Sequence, residues 1–404
     1  MTADMARRAA HEGTPFEVLR VFLRLGLTSF GGPVAHIGYF RNAFVIERQW
    51  LDERAYADLV ALCQFLPGPA SSQVGFAIGL MRAGLLGGLA AWTGFTLPSA
   101  IILTLFAYGE AALTGPAGEG LLHGLKLTAV AIVAQAVLGM GRSLAPDGRR
   151  AAIAVLALLL MAFAPGGASQ VAAILLGALA GLLVCREEAA AAGGAGHPPL
   201  ARRTGFVCLA AFFALLALSF LPGRNSPLAF FAAVTRSGAL VFGGGHVVLP
   251  LLQAAVVDPG WVSPSAFLAG YGAAQAVPGP LFTFAAYLGA VAAAPPGGAP
   301  GAALALIAIF APGMLILMGA LPFWHAVSAR PQARAAMAGV NAAVVGLLAS
   351  ALYDPLWTSA VRSRADFAVA AAGFAALVAG RAPPLIVVVF TAAAGVALGV
   401  GGAG

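Results

Sequence analysis

The chain has 404 residues, of which 60% are hydrophobic and only 9% charged, with a formal net charge of +7 and a mean hydropathy of +0.92. A soluble domain carries about 25% charged residues, so this composition excludes an ordinary soluble globule and points to a membrane protein. The excess Arg sits in short loops with no long basic run interleaved with aromatics, which argues against nucleic-acid binding.

In chain order, apolar runs predict about thirteen membrane spans, near 16–38, 58–80, 85–108, 121–141, 151–164 and 168–185, then 204–222, then 228–251, 266–292, 299–321, 335–353, 366–380 and 383–401. The stretch 1–14 is polar and lacks a small-residue cleavage site, so no removable signal peptide is expected. The shift to Glu, Gly, Pro and Arg over 186–203 reads as a linker. The expected organisation is an N-terminal membrane repeat over 1–185, a cytoplasmic linker over 186–203, a linking span over 204–222 and a C-terminal membrane repeat over 223–404.

One motif set occurs twice. Arg24, Phe30-Gly31-Gly32-Pro33, Trp50 and Gln64 with Pro67-Gly68-Pro69 recur as Arg236, Phe242-Gly243-Gly244-Gly245, Trp261 and Gln275 with Pro278-Gly279-Pro280. The offset is 212 for the Arg and Phe pairs and 211 for the others (236 − 24 and 261 − 50). Such register implies an internal duplication. With the N-terminus in the cytoplasm, twelve Arg fall in expected inside loops and six outside. Six spans plus one linking span then turn the second half upside down. The fold class expected is an all-α polytopic membrane protein, two homologous halves in inverted topology (6 + 1 + 6), with broken or re-entrant helices.

Gly costs roughly 1 kcal/mol and Pro about 3 within a helix, so these motifs should unwind it. Free backbone groups at membrane depth must be buried in protein or line a wet cavity. A half-helix after each Pro-Gly-Pro would offer free N–H groups and a positive dipole end, which suits an anion. Around the breaks stand Ser29, Gly31, Gly32, His36, Gln64, Gly68, Ser71, Ser72 and Gln73 in the first half, and Gly243, Gly244, His246, Gln275 and Gly279 in the second. Arg24 and Arg236 precede the breaks by six residues, about 9 Å along a helix. Lys126 and Asn341 occupy matching places further on. Arg and Lys near span ends also snorkel to the membrane surface, which is the plainer reading of Arg24 and Lys126. Acidic residues stay near loops, so the intramembrane groups are those that bind an anion rather than a cation.

These motifs together resemble the chromate ion transporter family in its long, two-domain form. The resemblance rests on Phe-Gly-Gly-Pro at 30–33 with His36, Gln-Trp-Leu at 49–51, Gln-Phe-Leu-Pro-Gly-Pro at 64–69, Phe-Gly-Gly-Gly-His at 242–246 and Gln-Ala-Val-Pro-Gly-Pro at 275–280. It implies export of chromate, or a sulfate-like oxyanion, across a bacterial inner membrane; the span count and the Arg distribution separately predict a periplasmic C-terminus. An anion channel or an exchanger for sulfate or another tetrahedral oxyanion shares the same broken-helix chemistry. No catalytic constellation, Walker motif or CxxC pair occurs, so no enzyme, ATP drive, cofactor or metal is expected. The partners expected are the oxyanion and the lipid bilayer; a homodimer is left open.

Overall fold

The computed structural model describes residues 13–110, 112–164, 166–185, 200–221, 223, 226, 228–242, 245–328 and 330–401. The linker over 186–199 and the Gly243-Gly244 pair lie outside the described residues.

The described residues are helical, with no strand among them. The first half runs α1 (Pro15–Thr28), α2 (Gly32–Arg41), α3 (Glu53–Phe65), α4 (Ala70–Glu110), α5 (Gly115–Leu144), α6 (Gly148–Phe163) and α7 (Gly167–Val184). The linking helix α8 (Arg202–Leu218) follows. The second half runs α9 (Ala229–Leu240), α10 (Val248–Val256), α11 (Pro264–Ala276), α12 (Phe284–Val291), α13 (Gly298–Ala320), α14 (Trp324–Ser328), α15 (Pro331–Ala351), α16 (Thr358–Ala360), α17 (Arg364–Val378) and α18 (Pro384–Gly401). Four helical stretches are long and apolar enough to cross a bilayer alone: Ala70–Glu110, Gly115–Leu144, Gly298–Phe323 and Pro331–Ala360. The other expected spans are shorter or broken. Large exposed apolar side chains such as Leu86, Leu105, Leu156, Phe163, Phe213 and Val389 stud the outer surface, an arrangement suited to lipid rather than water.

The breaks fall where Gly and Pro demand them. Helix α1 stops at Ser29, and α2 starts at Gly32 with Gly31 as its N-cap, both glycines in the left-handed region at φ +76° and +100°. A side chain there would cost roughly 1–2 kcal/mol, so glycine is needed. Helix α4 bends sharply at Ala83 and Gly84, which folds it into two arms. Gly79 and Gly87 face each other across that bend; a Cβ on either would lie within 2.3 Å of the other's carbonyl oxygen. Gly289 and Gly301 repeat this approach between α12 and α13.

The halves exchange helices. The pair α6 and α7 packs on α15 of the second half, while α17 and α18 pack on α5 of the first. Small residues make the exchange close: Gly124 abuts the Thr391 carbonyl, and Gly339 abuts that of Gly177. Reciprocal contacts of this kind are what a two-fold relation between two copies of one unit generates.

Candidate functional site

The two Pro-Gly-Pro loops and the two helix breaks meet in crossed pairs. Gly68 N–H donates to the Val241 carbonyl at 2.8 Å, and Gly279 N–H donates to the Ser29 carbonyl at 2.9 Å. Each loop glycine of one half therefore caps the broken helix of the other. Both glycines have positive φ, +124° and +101°. Behind each loop stands a helix with a proline in its interior. A Cβ on Gly68 would meet Gly313, next to Pro312, and a Cβ on Gly279 would meet Ser99, next to Pro98. Gln73 ties this packing together, since its Nε2 donates to the Pro67 carbonyl at 3.0 Å and the Gly313 carbonyl at 2.8 Å.

A cavity of about 60 Å³ lies beside the Gly279–Ser29 crossing. Its lining includes Gly31 and Gly32 of the first break, Gln135 of α5, His246, Gln275 and Gly279 of the second half, and Pro384. Gly32 opens α2, Leu281 opens the turn that leads into α12, and Pro384 opens α18. Three helical N-termini thus border one small space, and no carboxylate is among its lining residues. Such N-termini carry unpaired N–H groups and partial positive charge. The Gln275 Nε2 is buried without a hydrogen-bond partner. His246 is held through Nδ1 by the Tyr271 hydroxyl at 2.8 Å, which leaves Nε2 to meet a ligand.

His36 is fully buried, with Nδ1 3.4 Å from Ser71 Oγ and its ring edge-on to Phe95. Its Nε2, the Ser29 and Ser72 hydroxyls and the Gln73 Oε1 are buried and unpartnered, as is Asn341 Oδ1 on α15. Apart from Asn341, these polar groups stand on the segments that flank the breaks, and none of them lines the cavity itself. Other expected residues stand elsewhere. Arg24 on α1 and Gln64 on α3 are exposed and do not line the cavity. The Arg236 guanidinium donates to the Ser219 carbonyl at the end of α8 and stacks on Phe220. Lys126 is buried but bonds Ser265 at 2.7 Å, away from the cavity lining.

Sequence reasoning missed Gln135, Tyr271, Ser99 and Gly313. A signal for the last two was present, since Pro98-Ser99 and Pro312-Gly313 stand 214 apart (312 − 98), close to the offset of the other motifs.

Comparison with known proteins agrees with the duplication. The family model described as chromate transporter matches twice, over residues 16–182 and 228–396. Its two starts lie 212 apart (228 − 16), the offset of the Arg pair. The chain is 30% identical to a chromate transport protein of Pseudomonas aeruginosa, over 92% of this chain and 89% of that relative. It is 28% identical to a chromate transport protein of Cupriavidus metallidurans, over 83% and 81% of the two chains. An uncharacterized transporter of Methanocaldococcus jannaschii is 26% identical over 76% of this chain and 75% of its own. No solved structure gives a significant match. With both halves matched by the family model and relatives aligned over most of its length, the chain is a membrane protein of the chromate transporter family.

Proposed function

We propose that this protein is a secondary transporter that exports chromate, or a sulfate-like tetrahedral oxyanion, across the bacterial cytoplasmic membrane. The observation that carries the reading is the cavity bordered by three helical N-termini and the unpartnered Gln275 amide, with no carboxylate in its wall. Those donors favour a small anion and disfavour a cation. The relatives named as chromate transport proteins supply the substrate class. Oxyanion contacts in this reading come from the first turn of α2 at Gly31 and Gly32, from Gln135, from His246 Nε2 and from Gln275.

The two halves carry the motion. Crossed bonds at Gly68–Val241 and Gly279–Ser29 fasten each half to the other, so a rocking movement must loosen one crossing as it tightens the second. The exchange of helix pairs fits the 6 + 1 + 6 inverted arrangement, and the Arg distribution is what favours a cytoplasmic N-terminus and a periplasmic C-terminus. A dianion leaving a negative-inside cell moves with the potential, at about 2.3 kcal/mol per charge per 100 mV. Export in this scheme needs no coupled ion.

The test is flux of radiolabelled chromate and sulfate into everted vesicles containing the full chain. Accumulation that tracks the imposed potential and persists when the proton gradient alone is collapsed supports potential-driven export. Absence of uptake of either anion would sink the reading, and conductance that is linear in voltage and unsaturable in substrate would favour a channel.

A further inference from the structure

Lys126 is 7% exposed, the least exposed cation among the described residues, and it lies outside the cavity. The ammonium carries three donors and reaches out of the packed interior, and among the described groups only one hydrogen-bond acceptor is found for it, the hydroxyl of the exposed Ser265 at 2.7 Å. Ser265 is the second residue of α11, whose first turn is capped by Ser263. The ammonium is therefore held against the positive end of a helix, an arrangement that is unfavourable unless an anion is shared between them. Arg362 adds a further positive charge close enough to act on Lys126.

The opposing charge is Glu110, at the end of α4. It acts on Lys126 through space but is not in ion-pair contact with it. Its carboxylate is instead engaged by the Tyr287 hydroxyl, which also lies 3.0 Å from the Ala266 carbonyl in the first turn of α11. Nearby, His123 on the same helix as Lys126 is occupied with Asp366 at 2.7 Å, and Asp366 also accepts from the backbone N–H groups of Arg362 and Ser363. Glu110 and Asp366 are thus each held by other donors, while the Lys126 ammonium keeps donors to spare.

The two helices that meet at Lys126 both lead to the cavity. Helix α11 runs from Ser265 to Gln275, and α5 from Lys126 to Gln135, with Gly272 seated directly on the Leu125 carbonyl. Ten residues of helix span about 15 Å, so Ser265 and Gln275 mark two separate points on α11.

We infer that Lys126, Ser265 and the N-terminus of α11 form a second anion station, which holds a divalent oxyanion at the mouth of the pathway about 15 Å from the cavity. The inference rests on the oxyanion-transport reading above. Lys126 supplies the formal positive charge that the cavity wall lacks. Glu110 balances that charge when the station is empty and repels the anion enough to let it leave.

The experiment measures saturable chromate and sulfate flux in vesicles holding the full chain at matched protein level. Lys126→Gln raises KM for the dianion by about tenfold, the loss of a charge-assisted contact. Glu110→Gln shifts KM the opposite way, because it removes a repelling charge. Lys126→Cys, made in a chain whose Cys63, Cys185 and Cys208 are Ala, regains its KM after modification with an aminoethyl methanethiosulfonate and not with the sulfonatoethyl reagent. Unchanged KM in Lys126→Gln, or equal recovery with both reagents, overturns the station while leaving transport itself intact. Loss of flux in the unsubstituted chain instead overturns the transport reading, and the station with it.

Discussion

The backbone N–H of Gly68 donates to the carbonyl of Val241 at 2.8 Å, although the two residues lie in different halves of the chain. Gly279 and Ser29 repeat this bond at offsets of 211 and 212 from Gly68 and Val241. A helix that is broken at membrane depth leaves a carbonyl without its usual partner, and a lone buried carbonyl costs about 1–3 kcal/mol. Here each half supplies the missing donor to the other. The duplication and the unwound helices are two aspects of one arrangement.

Substitution at the loop glycines follows from this. Gly68→Ala must hold φ near +124° and bring a methyl to 2.8 Å from Gln73 Nε2 and 3.0 Å from the Gly313 backbone. The backbone strain alone is about 1–2 kcal/mol. Gly279→Ala meets Ser99 Oγ at 2.9 Å in the same way. Both variants should lower the thermal midpoint in detergent and reduce chromate flux at equal protein level. Unaltered melting in both would show that the crossed bonds do not hold the halves together.

At the first break, a methyl on Gly32 meets nothing within 4 Å, so Gly32→Ala tests backbone conformation without a clash. Joined to Gly31→Ala, it should favour continuous helix from α1 into α2 and pull the α2 N-terminus away from the cavity. The expected outcome is near-complete loss of transport with normal membrane insertion. The same paired change at Gly243 and Gly244 is expected to act alike. Flux at the unsubstituted level would leave these glycines with a packing role only.

Gln275 and Gln64 test the cavity against an exposed counterpart. The Gln275 Nε2 is buried and unpartnered, and the residue lines the space beside Gly31 and Gly32. A hydrogen bond to a charged ligand contributes about 1.5–3 kcal/mol, so Gln275→Ala should weaken the apparent affinity roughly ten- to hundredfold. Gln64, its counterpart by offset, is exposed, and Gln64→Ala should leave affinity unchanged. Titrating chromate against initial flux distinguishes the two. Equal shifts at both positions would remove the assignment of the cavity.

The breaks and the duplication were readable in the sequence because Gly and Pro act locally and their spacing survives in both halves. Which groups face the cavity was readable only in part: Gly31, Gly32, His246, Gln275 and Gly279 line it, but Gln135 and the placing of the other polar residues depend on how helices turn when they pack. Helix α1 shows why. Val18, Phe22 and Gly26 form its buried stripe, and Ser29 follows it at the break. Arg24 stands two residues past Phe22, about 200° around the helix, and so faces outward. Its nearness to the break along the axis suggests a substrate contact, while its angle around the axis turns it away from the packed stripe. The exchange of α6 and α7 onto α15 was equally hidden, because contacts between distant small residues leave no periodic trace.

Orientation is checked with reporter tags. A tag within 186–203 should be accessible only from the cytoplasm, and one fused after Gly404 only from the periplasm. The odd linking helix α8 and the Arg distribution motivate this expectation. A cytoplasmic reporter after Gly404 would remove the inverted arrangement and require an even number of crossings.

The two arginines of the repeat should behave differently, although they align. Arg24 is exposed beside Leu23 and Leu27, so its guanidinium has room to reach the membrane surface. Arg24→Gln and Arg24→Lys should each keep the KM for chromate, with at most a fall in protein level. Arg236 is part-buried, donates to the Ser219 carbonyl and covers the Phe220 ring at 5.1 Å. Arg236→Gln frees the C-terminal end of α8 from α9, a loss of about 1–2 kcal/mol for a charge-assisted bond in a part-exposed setting. Arg236→Lys keeps the charge but not the planar stacking, and should recover only part of that stability. Detergent melting and flux measured on the same preparations tell the two roles apart. A raised KM in Arg24→Gln at unchanged melting would return Arg24 to the substrate path, since a residue that only anchors the helix at the membrane surface has no reason to alter affinity.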